Sequence, residues 1–187
     1  EAVTAVRPGH ADLTGVLKYD RQDARDILER ASARETAARV AAGGVCKQLL
    51  AALGVQVRSH VVNLGGVESP LQGMEAFQAW RQPDSQTACL DEAASLAMKQ
   101  RVAEAQSTGD TLGGVIELFA DGLWAGLGTY AQGDRRLDAR LAAAMVSIPA
   151  IKGVEFGEGF QYANLSGSQA HDEIFHADPK GFFRRTN

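Results

Sequence analysis

Three short stretches of the chain place chemically capable side chains at telling spacings. The first is Arg7-Pro8-Gly9-His10-Ala11-Asp12. Proline and glycine in succession set a sharp bend, and a histidine and an arginine stand on it. A histidine so displayed titrates near neutral pH and can give or take a proton. An ordinary exposed loop histidine fits the same pattern.

The second stretch is Arg30-Ala31-Ser32-Ala33-Arg34-Glu35-Thr36. Ser32 and Glu35 match the Ser-x-x-Glu capping box, so a helix is expected to begin at Ala33. The first turn of a helix offers free N–H groups and partial positive charge. With Arg30 and Arg34 beside it, that end suits a phosphate or a carboxylate. A capped surface helix with solvated arginines is the other reading, and Glu35 with Arg39, four residues on, reads as a surface ion pair.

The third is Gly167-Ser168-Gln169-Ala170-His171-Asp172. Small residues here let backbone approach a flat ligand, although an ordinary polar loop has the same composition. His171, Asp172, Glu173 and His176 match no specific metal spacing. No GxGxxG, Walker, CxxC or GxSxG motif occurs, and Gly109–Gly114 lacks the Lys and Ser/Thr of a phosphate loop.

The elements that must carry these groups can be read from periodicity. Residues 1–20 read as loop and turn, and the main helical signal runs from Asp23 to Leu53. If Ser32 is the cap, the part before it is a separate element. Ala37, Ala41, Val45 and Leu49 recur every fourth residue, which predicts a helix buried on that face, with Cys46 as a small buried hydrophobe. Gly54 suits the helix stop. Val55–Val61 alternates as a half-buried strand ended by Gly65-Gly66. Short and longer helices are expected over 73–80 and 91–105, the latter with Ala94, Leu96, Ala97 and Val102 on one face. Ser107–Gly114 reads as turn, 115–120 and 148–156 as strands, and 137–145 as a helix capped by Asp134.

With 187 residues, 45% of them hydrophobic and 22% charged, the chain can bury a core as one mixed α and β domain. A net charge of −4 argues against a general nucleic-acid binder. Two cysteines make no disulfide framework, so a reduced, cytoplasmic protein is expected. No apolar run approaches the ~20 residues of a membrane helix, and the first residues lack the pattern of a secretory signal.

Taken in order, these motifs resemble chorismate synthase. The resemblance rests on Arg7–Asp12 continuing to Lys18-Tyr19, Arg30–Ala37 continuing to Gly43, Gly109–Gly114, Leu137-Asp138-Ala139, Ser147–Glu155, and Gly167-Ser168 with His171-Asp172. It implies an α+β fold, a β-α-β sandwich with a helical core between sheets, incomplete in this chain, and a homotetramer. It also implies a lyase that eliminates phosphate from 5-enolpyruvylshikimate 3-phosphate with reduced FMN. The flavin's reduction would come from NADPH on the enzyme or from another protein.

By the same resemblance His10 is the proton donor toward the flavin. Arg7 and Arg34 hold substrate, and Arg30, Ala31, Ser32, Gln169 and Ala170 hold FMN. The family's Glu-Ser-His-Gly segment and its late Lys-Pro, Arg and Asp do not occur in these residues. Both ends therefore look cut, and Arg184–Asn187 resemble the start of a glycine-rich stretch. Gly44 and Cys46 stand where Ala is usual, and Leu123-Trp124-Ala125 where a Pro-containing turn is usual. A non-enzymatic flavin or anion binder on the same scaffold, or an inactive fragment, is the alternative.

Overall fold

The computed structural model describes residues 2–184; Arg185–Asn187, the rest of that glycine-rich resemblance, lie outside them. The chain divides into two compact units. One joins Glu1–Gly54 to Trp124–Val154, and the other joins Val55–Leu123 to Glu155–Asn187.

The first unit is helical. Its opening is not all loop: α1 spans Asp12–Tyr19 and stops at Asp20, whose left-handed backbone (φ +49°) lets its N–H reach the Val16 carbonyl. Gly15 read as a loop marker because it is glycine, but its role is steric. A Cβ there would meet Ile27 Cγ2 at 2.2 Å, so only glycine lets α1 lie against α2, Arg25–Leu28. A 3-10 turn, Glu29–Ala31, leads to Ser32, whose backbone is extended.

Helix α3, Ala33–Ala52, follows and runs through Gly43-Gly44 to end before Gly54, at φ +82°. The expected burial of its 37/41/45/49 face is not met. No residue of α3 is buried; Val45 is 70% and Leu49 64% exposed, and Cys46 is also exposed. Periodicity tells which face of a helix calls for a cover, not that the same residues supply it. Within the unit α3 is tied by Arg39 Nη1, which donates to Ser147 Oγ at 3.0 Å.

Helix α6, introduced here out of chain order, spans Leu137–Val146. Asp134 does not cap it, because Asp134 sits in a separate 3-10 turn, Gly133–Arg135, and Arg136 occupies the cap position. The strand expected over 148–156 does not form either. Pro149 has no N–H to give a ladder, and Ala150 takes a left-handed backbone (φ +72°) that breaks an extended run.

The second unit holds the sheet. Strand β1, Gln56–Leu64, lies between β2, Val67–Glu68, and β3, Gly114–Asp121, all antiparallel. Gly65 and Gly66, both at positive φ, make the two-residue hairpin between β1 and β2. Helix α4 spans Gly73–Gln78, and α5 spans Glu92–Thr108 with Asp91 Oδ1 accepting from the Ala94 N–H at 2.7 Å.

Cys89, Ala94 and Met98 form a buried cluster with Val61, Leu64 and Val67 packed on it. The inward stripe of α5 is Ala94, Ser95, Met98 and Ala105, and Leu96 faces out. The sequence reading chose Leu96 for its hydrophobicity over Ser95. In the structure Ser95 is buried because its Oγ shares a 2.8 Å hydrogen bond with Thr87 Oγ1. A second polar group is also buried. His60 Nε2 lies 2.9 Å from Glu117 Oε2, its ring stacks on Phe119, and Glu117 Oε1 accepts from the Gly73 N–H.

Three elements stand where a loop-rich tail was expected. A 3-10 turn spans Gly159–Asn164, helix α7 spans Gly167–Ala170, and a hairpin pairs β4, Ile174–Ala177, with β5, Gly181–Arg184.

Candidate functional site

The His10 loop is built from its ends. Pro8 and Gly9 (φ +74°) occupy the central positions of a turn closed by the His10 N–H on the Arg7 carbonyl, at 3.4 Å. Asp12 is the first residue of α1 and is fully buried. Its Oδ2 accepts from the Arg7 backbone N–H at 3.1 Å and from Arg7 Nε at 2.8 Å, and its Oδ1 accepts from Arg7 Nη2 at 2.9 Å. Arg7 Nη2 also reaches the Leu28 carbonyl at 3.5 Å. His10 is exposed on this loop. Arg7, expected to hold substrate, has thus turned Nε and Nη2 to Asp12, which leaves Nη1 as its outward edge.

At the start of α3 the cap expectation is met in part. Ser32 Oγ accepts from the Arg34 N–H at 3.2 Å. Glu35, the other half of the expected box, instead pairs with Arg39 Nε at 3.0 Å and lies 3.7 Å from Arg30 Nη1. Arg34 pairs with Glu29, which also accepts from Ser32 Oγ at 3.1 Å. The Arg34 guanidinium holds the Glu29 carboxyl below its usual range. Arg30 and Arg34 are both outward-facing, with side chains 83% and 78% exposed.

Each guanidinium at this helix end therefore carries an intramolecular carboxylate partner. An arriving anion must displace Glu29 or Glu35 rather than meet a bare cation. Beside Arg30 an open cleft of about 530 Å³ is lined by Tyr19, Arg21, Asp26 and Ile27. None of these four was singled out from the sequence. Tyr19 was visible only as the end of the Arg7 motif, and the rest needed the fold of α1 on α2.

In the second unit, Gln169 Oε1 accepts from Ser166 N–H and Oγ at 3.1 and 2.9 Å, a capping box for α7. This leaves Nε2 as the Gln169 donor. The Ala170 carbonyl accepts from the Tyr162 hydroxyl at 3.2 Å. Asp172 pairs with Arg184 at 3.0 Å. Among the described residues no cluster of three His, Cys, Asp or Glu could hold a metal, and no helix is long and apolar enough to cross a membrane.

The ion pairs set an acid limit on stability. The Arg7 hydrogen bonds lower Asp12 from 3.8 to about 2, Lys99 holds Asp84 well below its usual range, and Arg25 does the same for Asp23. A carboxylate depressed on folding stabilises above its unfolded value and loses that contribution as pH falls through the folded one. The urea midpoint should therefore drop between pH 4 and pH 2, and less steeply in high salt. A midpoint constant across that interval would show that these pairs do not act in solution.

The comparisons agree with this layout. The family model described as chorismate synthase matches residues 1–187. The chain is 54% identical over 185 residues to a chorismate synthase of Moorella thermoacetica and 53% identical over 187 residues to one of Desulforudis audaxviator. Each alignment takes 99% of this chain and 48% of the relative, so the chain spans about half the length of these relatives. A solved structure titled "Crystal Structure of Chorismate Synthase" superposes with a TM-score of 0.87 at 45% identity, covering 95% of this chain and 56% of that one. An α+β fold with these motifs in this order, matched along its whole length, makes the chain a member of the chorismate synthase family.

Proposed function

We propose that in the intact enzyme these residues serve the 1,4-anti elimination of phosphate from 5-enolpyruvylshikimate 3-phosphate, giving chorismate. The observation that carries this reading is a single compact unit containing both a hydrogen-bonded turn that presents His10 and a capped helix end with two outward guanidiniums. His10 gives its proton from the turn. Arg34, with Arg7 Nη1, binds the substrate's anionic groups. Each such contact is a charge-assisted hydrogen bond, which strengthens as phosphate charge develops on leaving.

The donors present fit FMN. Arg30 has only a long contact to Glu35 and an open cleft beside it, Ser32 offers a hydroxyl, and Gln169 keeps its Nε2 amide. Reduced FMN, when bound, supplies electron density that the elimination borrows and returns. Arg30, Ala31 and Ser32, with Gln169 and Ala170, hold and orient it. The enzyme is further read as one domain, a β-α-β sandwich around helices, assembled as a homotetramer. It is placed in the cytoplasm, where the free thiols Cys46 and Cys89 stay reduced. NADPH or a separate reductase keeps the flavin reduced.

The test is Arg34→Ala in the intact enzyme. Losing one charge-assisted bond should raise the substrate KM about tenfold or more. The rise should shrink with salt as the wild-type interaction is screened. Wild-type KM at every salt concentration, in a variant with native circular dichroism, would return Arg34 to the status of a solvated surface residue.

A further inference from the structure

Asp12 has a placement its position alone does not explain. An acidic residue in the first turn of a helix ordinarily favours the helix's own free N–H groups. Asp12 turns away from them. Both its oxygens are spent on Arg7, five residues back, through one backbone and two side-chain hydrogen bonds. It is the fully buried member of a loop whose tip, His10, is exposed.

The result is a ring closed at both ends. Between the ends, proline fixes the φ of residue 8, and Gly9 takes a left-handed backbone. The only other hydrogen bond across the turn is the 3.4 Å contact from His10 N–H to Arg7 carbonyl, which is long for this type. With the Asp12 clamp removed, that one weak contact would remain to hold the turn. Arg7 also reaches Leu28, next to Glu29, so the clamp references the loop to the segment that carries Arg30–Ser32.

We propose that Asp12 is a positioning residue for the reaction: through Arg7 it locks the Arg7–Asp12 turn and sets where the His10 imidazole stands. The proposal rests on the reading of His10 as proton donor. Asp12 touches neither substrate nor flavin in this scheme. It acts through the geometry of another residue, and a displacement of about 1 Å at a reacting group costs about 10²-fold in rate.

The experiment is a double-mutant cycle in the intact enzyme with His10→Ala, Asp12→Asn and both together. Asn keeps the volume but replaces one acceptor oxygen with a donor, so the paired fork of Arg7 is lost. Asp12→Asn should lower kcat about 10- to 100-fold with substrate KM within about threefold of wild type. In the His10→Ala background the same substitution should change kcat by less than about twofold, because its target is gone.

Amide hydrogen exchange on the flavin-free enzyme gives a readout independent of turnover. The amides of His10 and Ala11 should exchange faster in Asp12→Asn, with those of α5 unchanged. Equal kcat losses in the two backgrounds would overturn the proposal and make Asp12 a general stability residue. Wild-type exchange at His10 would overturn it too. Wild-type turnover in His10→Ala alone would instead sink the proton-donor reading, and with it the role Asp12 has been given.

Discussion

His10→Ala in the intact enzyme lowers kcat with reduced FMN by about 10²- to 10⁴-fold, the range for removing a positioned acid or base. The substrate KM moves far less. The split follows from the local structure. His10 is exposed on a turn whose shape comes from Pro8, Gly9 and the Arg7–Asp12 clamp, none of which depends on the imidazole. Alanine keeps the backbone N–H that closes the turn on Arg7, so the loop survives and only the proton carrier is lost. The anion-binding guanidiniums of Arg30 and Arg34 sit on other elements and keep their carboxylate partners. A drop in kcat/KM carried by kcat is what a transition-state contribution predicts. Single-turnover measurements of chorismate release under anaerobic conditions check it. Turnover within a fewfold of wild type would make His10 an ordinary loop histidine.

The 187-residue chain by itself should give no sustained turnover. Residues acting as a unit lose nearly all their effect when one member goes. Within these residues the substrate's anions would meet Arg34 and Arg7 Nη1, with Arg34 partnered by Glu29. The family's Glu-Ser-His-Gly segment and its late Asp do not occur here, so neither second histidine nor late carboxylate is present to complete proton transfer. The assay supplies reduced FMN and 5-enolpyruvylshikimate 3-phosphate without oxygen and follows chorismate and phosphate together. A steady rate above the no-protein control would mean that Glu1–Asn187 suffice for the chemistry. Weak flavin binding through Arg30, Ser32 and Gln169, by contrast, is expected.

Local chemistry was legible from the residues alone wherever one short motif determines it. Ser32 caps α3, Glu35 pairs with Arg39, Gly54 ends the helix, and the two glycines turn β1 into β2. What failed depended on partners distant in sequence. Gly15 looked like punctuation because nothing nearby in sequence shows Ile27 standing 2.2 Å from where its Cβ would be. The run from Ile148 to Phe156 has strand-like residues, but no neighbour offers it a ladder, and Ala150 bends it. The site divides the same way. Arg30, Arg34 and His10 were found by type and spacing. Asp12 and Glu29, which decide how free those cations are, show their roles only once α1 and α2 are folded.

The helical unit is assembled from two pieces of chain, with Val55–Leu123 synthesised between them. Arg39 of the first piece finds Ser147 only after the second has been made. At about 5–20 residues per second, the hundred residues from Gly54 to Val154 take roughly 5–20 s to translate. For that interval the nascent α3 carries Val40, Val45 and Leu49 to the ribosome surface with nothing to lie against. This helix is therefore the segment of the chain on which a ribosome-associated chaperone should dwell longest. Slowing translation over residues 55–123 should lengthen that hold.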